Sequence, residues 1–193
     1  NIIKFNYKIG DELINVKYRD GRKHFKLYKG AEKVFYNLNS IVGYDTCVIV
    51  EGEMDVLSYH EAGIQNVISV PNGATLNHNN LDYLDNCIDY FEDKEKIILA
   101  VDADEAGVAL QNELIRRLGA EVCFLINFVD CKDANEYLLK YGKEDLAKTI
   151  SECRPVPLEN VTTFKDIEHE VTDFVQHGFR KGYQVGIKNF DDP

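Results

Sequence analysis

Cys47-Val48-Ile49-Val50-Glu51-Gly52-Glu53-Met54-Asp55 and Ile97-Ile98-Leu99-Ala100-Val101-Asp102-Ala103-Asp104 decide how this chain folds. Each is a short apolar run that stops abruptly in acids. Runs of four or five largely β-branched residues read as strands buried on both faces. Val67 to Val70 and Val122 to Ile126 supply two more. Between these runs, Asp55 to Ala62, Asn80 to Phe91 and Ala106 to Leu118 have helix-period apolar spacing and lengths suited to right-handed crossovers. The expected fold class is therefore α/β: a Rossmann-like parallel four-stranded sheet with flanking helices.

Upstream, Leu13 to Arg19 and Lys23 to Tyr28 alternate apolar with polar residues around Asp20-Gly21, the pattern of an antiparallel hairpin. That alternation predicts Lys17, Arg19, Lys26 and Lys23 together on one solvated face. Downstream, Asn135 to Tyr141 and Lys143 to Ile150 read as short helices separated by Gly142. Arg154-Pro155-Val156-Pro157 breaks the pattern, and Phe164 to Val175 follows as an amphipathic helix. The expected domains are a basic β-rich subdomain over 1–44, an α/β domain over 45–152, and an amphipathic helix with a Gly-rich tail over 153–193.

Composition bounds the rest. Hydrophobic residues make up 45% and charged residues 28%, as in an ordinary globular chain. No apolar run approaches bilayer length and no signal-peptide pattern opens the chain, so neither a membrane nor secretion is expected. Asn1 at the start suggests a piece of a longer protein. The five cysteines form no C-x-x-C pair, which argues against a zinc site and favours a reducing compartment. Net charge is -11, but residues 1–46 carry +4 and residues 47–150 carry -12. A basic segment beside an acidic one suits a phosphate-contacting surface next to a cation-collecting one; ordinary solvated faces account for the charges equally well.

The acids carry the chemistry. In open parallel sheets, ligands bind beyond the carboxyl ends of strands, so two acid-tipped strands converge on one site. Crowded carboxylates repel, and a divalent cation removes that cost. An all-oxygen set with no neighbouring His or Cys suits Mg²⁺ or Mn²⁺, with phosphate-bearing substrates to follow. Glu51, Asp102 and Asp104 are the candidate centre. Gly52 is expected to turn the backbone sharply, and Asp55 to cap the following helix. The plain alternative is that these acids are solvated helix caps.

The strings Glu51-Gly52-Glu53-Met54-Asp55, Val70-Pro71-Asn72-Gly73-Ala74 and Val101-Asp102-Ala103-Asp104-Glu105-Ala106-Gly107 resemble the Toprim signature of primases, topoisomerases and some nucleases. Cys131-Lys132-Asp133-Ala134-Asn135-Glu136 is similar to the phage primase-helicases and their Twinkle-like relatives, and Gly182 to Asp191 resembles the lead-in to their helicase domain. The resemblance implies a Toprim fold, that the basic subdomain over 1–44 is partial, and that the helix within 153–193 is a linker. It also implies that Glu51 acts as general acid/base or organises metal, and that Glu53, Asp55, Asp102 and Asp104 hold one or two ions with Asp133 at the edge. Lys17, Arg19, Lys23, Lys26 and Lys132 would contact template or nucleotides.

The activity implied is Mg²⁺-dependent primer synthesis on single-stranded DNA from nucleoside triphosphates. The expected partner is a C-terminal helicase domain in a ring oligomer, and the expected location is the cytoplasm of a bacterial or phage-infected cell. The residues contain neither the zinc module of phage primases nor a G-x-x-x-x-G-K-[ST] loop, so template-specific initiation and ATP-driven movement are not expected of them. Competing readings are a DNA-binding and assembly module that has lost synthesis, and a Toprim nuclease or topoisomerase.

Overall fold

A computed structural model of the chain describes residues 2–22, 24–72, 81–157 and 164–178, the side chains of 164–166 excepted. The chain divides into two units, Asn1–Val156 and Pro157–Pro193. In the first, the four apolar runs form strands β4 (Thr46–Val50), β5 (Val67–Ser69), β6 (Lys96–Ala100) and β7 (Cys123–Leu125), all parallel, in the spatial order β5-β4-β6-β7. A two-residue strand, β8 (Arg154–Pro155), adds antiparallel to β7. The Pro-rich segment read as a break is thus the edge of the sheet before the chain leaves the unit.

Two-residue periodicity sorts the strand side chains onto two faces. Val48, Val50, Ile98 and Ala100 pack with Val56 and Tyr59 of α1 (Glu53–Glu61), Ala134 of α4 (Ala134–Tyr141) and Leu146 of α5 (Lys143–Glu152). Cys47, Ile49, Ile97 and Leu99 pack on the other face with Leu110 and Leu114 of α3 (Glu105–Leu118). Each fully buried Ile or Leu contributes about 1.5–3 kcal/mol relative to exposure. Gly142 sits at φ +88° between α4 and α5, ending the first helix as its spacing predicted.

The Asn80 to Phe91 helix is realised only in part. Asp82–Asp85 forms a short α2, and a 3-10 turn covers Ile88–Tyr90. Asp82, Asp85, Asn86 and Asp89 are poor interior helix formers, and Asn86 Nδ2 donates instead to the Lys33 carbonyl at 2.9 Å. Asn80 lies outside the described residues.

The basic segment is a three-stranded antiparallel sheet of β1 (Ile2–Ile9), β2 (Glu12–Asp20) and β3 (Phe25–Leu27) in that order. The predicted hairpin is its β2-β3 half. Phe5 and Tyr7 of β1 are buried in the same core as Ile49 and Leu99, which fixes this sheet against the α/β part. In the second unit, α6 (Phe164–His177) matches the predicted amphipathic helix; Ile167 and Val171 are partly buried, Phe174 and Val175 exposed. The tail from Gly182 to Asp191 lies outside the described residues.

Candidate active site

The acids stand where the sheet register puts them. Val50 of β4 pairs with Ala100 of β6, so Glu51 and Asp102 leave neighbouring strand ends at nearly the same level. Together with Gly52, Glu53, Asp55, Asp133 and Lys132 they line a cavity of about 580 Å³. Lys17, Phe25 and Leu27 of the antiparallel sheet, with Pro71 and Asn72, line it as well. The cavity is therefore built from strand tips of the parallel sheet and one face of β2 and β3.

Glycine 107 makes the β6 tip possible. A Cβ there would lie 2.0 Å from the Asp102 carbonyl oxygen, so only glycine lets α3 begin this close to the strand end. Asp104 is the helix cap, its Oδ1 accepting from Gly107 N at 3.0 Å. Gly52 plays a different part from the one expected. Its φ of −133° is ordinary extended backbone, and what a side chain would meet is Asp55 Oδ2 at 3.1 Å. Gly52 is itself the cap residue of α1. Asp55, expected as a cap, lies buried in the first helical turn and accepts from Asn135 N at 3.0 Å, tying α1 to the start of α4.

Burial pushes the Asp55 carboxyl up to about 7, and Asp133, Asp102 and Glu51 push the same way against the Asn135 N–H. Asp102 is also raised by burial, with Lys132 pulling down. Asp104 is held below the usual range, first by the Gly107 N–H. Lys132 Nζ lies 2.9 Å from Asp102 Oδ2 and 3.2 Å from Asp104 Oδ2. Its backbone is fixed on both sides: its carbonyl accepts from Ala103 N at 2.9 Å, and its N–H donates to Glu136 Oε2 at 2.7 Å. Asp133 caps α4, accepting from Glu136 N at 2.7 Å.

The donor set is all oxygen, which suits a hard divalent cation, and burial holds the Asp55 and Asp102 carboxyls towards their neutral form, a cost that a bound cation would offset. As they stand, no three His, Cys, Asp or Glu side chains among the described residues group closely enough to hold an ion. Lys132 stands between Asp102 and Asp104, so loading the pair would move it aside.

One sequence expectation changes here. Lys17 does not lie on a solvated face with Lys26. It is buried, with Nζ 2.8 Å from Glu53 Oε1 and donating to the Pro71 carbonyl at 2.9 Å. Register pairs Lys17 with Leu27 and Arg19 with Phe25, whereas Lys26 pairs with Tyr18 on the opposite face. The period of the alternation holds, but the side carrying Asn15 and Lys17 faces inward. Arg19 stays with the cavity face, its guanidinium 5.5 Å from the Phe25 ring centre. Lys23, Gly73 and Ala74 lie outside the described residues. Glu53, expected as a metal ligand, is 3% exposed and already accepts from Tyr7 as well as pairing with Lys17. Burial and the adjacent Glu53 push the Tyr7 phenol well above its ordinary value, leaving it a donor.

Residues 48–138 match the family described as Toprim-like. The chain is 33% identical over 210 residues to the Twinkle homolog protein, chloroplastic/mitochondrial, of Arabidopsis thaliana, covering 99% of this chain and 30% of that protein. It is 36% identical over 176 residues to the Primase homolog protein of the same plant, covering 82% and 52%. Among solved structures, the primase fragment of the bacteriophage T7 primase-helicase protein matches with TM-score 0.65 and 25% identity, covering 77% of this chain and 62% of that one. A chain of the T7 lagging-strand DNA polymerase assembly, with primase domains bound to an RNA/DNA hybrid and dTTP, matches with TM-score 0.70 and 26% identity, covering 80% and 79%.

Acids on the tips of adjacent parallel strands, in this topology, define a Toprim-like domain, and residues 48–138 belong to that family. It is a primase-type Toprim domain, related to the T7 primase and to Twinkle. The chain spans between 30% and 52% of the length of the two plant relatives.

Proposed function

We propose that this chain is the primer-synthesising region of a replicative primase-helicase, a metal-dependent nucleotidyltransferase acting on single-stranded DNA. The observation that carries the reading is the cavity itself, where acids from two strand tips face a lysine delivered by the basic sheet. Glu51, Asp55, Asp102, Asp104 and Asp133 would hold Mg²⁺ or Mn²⁺, which when bound supplies charge neutralisation at phosphate and a lowered hydroxyl pKa. Glu51, at the β4 tip, would accept the proton of the attacking 3′-hydroxyl. Lys17 faces the triphosphate, and Lys132, released from Asp102 and Asp104, offers a second ammonium to the leaving pyrophosphate. Arg19 borders the cavity face, while Lys26, on the opposite face of the sheet, would serve the template, as would Lys23, which lies outside the described residues.

The proposed partners are nucleoside triphosphates, single-stranded DNA and a helicase domain in a ring, with α6 as the connecting helix. All five cysteines are free, which suits the reducing cytoplasm proposed from sequence. No helix among the described residues is long and apolar enough to cross a membrane. The reading without synthesis has no observation in its favour.

A primer-synthesis assay with single-stranded DNA, labelled nucleotides and Mg²⁺ tests the proposal. The chain should give short RNA products, and the Asp102→Ala/Asp104→Ala protein at least about 100-fold less, the scale of losing an electrostatic catalytic group. Equal product from both proteins would overturn it.

A further inference from the structure

We propose that Glu53 is a positioning residue: with Tyr7 it fixes the Lys17 ammonium so that its remaining N–H addresses a phosphate in the cavity, and it takes no part in holding a cation. This rests on the reading of the cavity as a nucleotidyl-transfer site.

Three elements meet at one carboxylate oxygen. Glu53 belongs to the first turn of α1, Tyr7 to β1 and Lys17 to β2. The Tyr7 hydroxyl and the Lys17 ammonium both reach Glu53 Oε1, the ammonium at 2.8 Å. Lys17 makes a second bond, to the Pro71 carbonyl at 2.9 Å, and its Nζ lies 5.0 Å from the Phe25 ring centre. An ammonium has three donors; here two are spent on protein, and the residue still lines the cavity opposite Glu51 and Asp102.

A carboxylate paired to an ammonium and a phenol has its charge compensated, and the adjacent positive charge repels a cation. Glu53 differs in this from Asp55, whose neighbours Asp133, Asp102 and Glu51 add negative charge to its surroundings. Fixing Lys17 before substrate arrives also removes most of the rotamer entropy that a free lysine would lose on binding. Glu53 therefore serves the substrate through Lys17.

The test uses the full chain and four variants: Y7F, E53Q, K17M and the double variant E53Q/K17M. A non-hydrolysable nucleoside triphosphate probes binding, Mn²⁺ probes the acids by electron paramagnetic resonance, and primer synthesis separates KM from kcat. Expected for E53Q and Y7F is a KM for nucleotide raised about tenfold, roughly one charge-assisted hydrogen bond, with kcat within about threefold and Mn²⁺ affinity within about twofold. E53Q/K17M should bind the triphosphate no worse than K17M, because the two act as one unit. Y7F is a small change and E53Q keeps the Lys17 side chain, so if K17M alone does not fold, the nucleotide KM and Mn²⁺ affinity of these two variants still decide the inference.

Losses that add in E53Q/K17M, or a tenfold loss of Mn²⁺ affinity in E53Q with nucleotide KM unchanged, would overturn the inference. If the wild-type chain binds the triphosphate with this coupling yet makes no primer, the proposal of primer synthesis fails while the role of Glu53 stands.

Discussion

The two acid-tipped strands each receive a lysine, and the two pairings differ in what surrounds them. At the β4 tip, Lys17 and Glu53 are 11% and 3% exposed in their side chains and share a buried corner with Tyr7. At the β6 tip, Lys132 is 54% exposed and spans Asp102 and Asp104, the second of them 47% exposed. The first pair is embedded between the antiparallel sheet and the first turn of α1. The second is a side chain leaning over two carboxylates from a loop whose backbone is pinned at Ala103 and Glu136. A charge pair closed off from water holds architecture together, because neither partner can be lost without stranding the other. A pair open to water can exchange one cation for another at small cost. The same two residue types thus give one fixed ammonium and one replaceable one.

That contrast makes predictions of graded size. The largest is for Lys17→Met, which leaves Glu53 buried with Tyr7 alone: urea unfolding should show a loss of about 3–5 kcal/mol. Lys132→Met should cost under about 1 kcal/mol in the same measurement, and less still at high salt. Equal losses for the two would erase the distinction. The smallest effect belongs to a network facing solvent on α3. There Arg116 and Arg117 hold the Glu113 carboxyl at about 2, below its ordinary 4.5. A depressed acid contributes stability that is present above about 4.5 and lost as pH falls towards about 2. Glu113→Gln should therefore lower stability at pH 7 by under about 1 kcal/mol, read as a small drop in the thermal midpoint, with the gap to the parent protein closing by pH 2. A gap that persists at pH 2 would assign the effect to packing.

The sequence disclosed the part of this molecule whose signals are local. Apolar runs ending in acid located β4 and β6, and their buried spacing by helices placed both tips on one side of the sheet. Gly142 and α6 were legible for the same reason, as caps and periodicity act within a turn or two. The orientation of β2 was not. Alternation there gives Ile14, Val16 and Tyr18 on one side and Asn15, Lys17 and Arg19 on the other, and hydrophobicity favours the first as the inner face. What turns the polar set inward is the pairing with β1, which sets Lys17 beside Phe5 and Asn15 beside Tyr7, the residues of that strand buried in the core; Glu53, remote in sequence, then compensates the Lys17 charge. Tyr7 and the Pro71 carbonyl leave no local signal either, since neither carries a recognisable motif. β8 was hidden because a Pro-rich segment reads as a break, although proline is tolerated on a sheet edge.

That edge has a further consequence. A parallel sheet this apolar would offer an open template for another chain along each outer strand. Here β7 is covered by two residues, one of them Pro155, which has no N–H to extend the ladder, and Ser69 of β5 is bridged by Tyr36 on the opposite side. Both flanks are thereby closed against strand addition, a safeguard against aggregation written into two very short contacts.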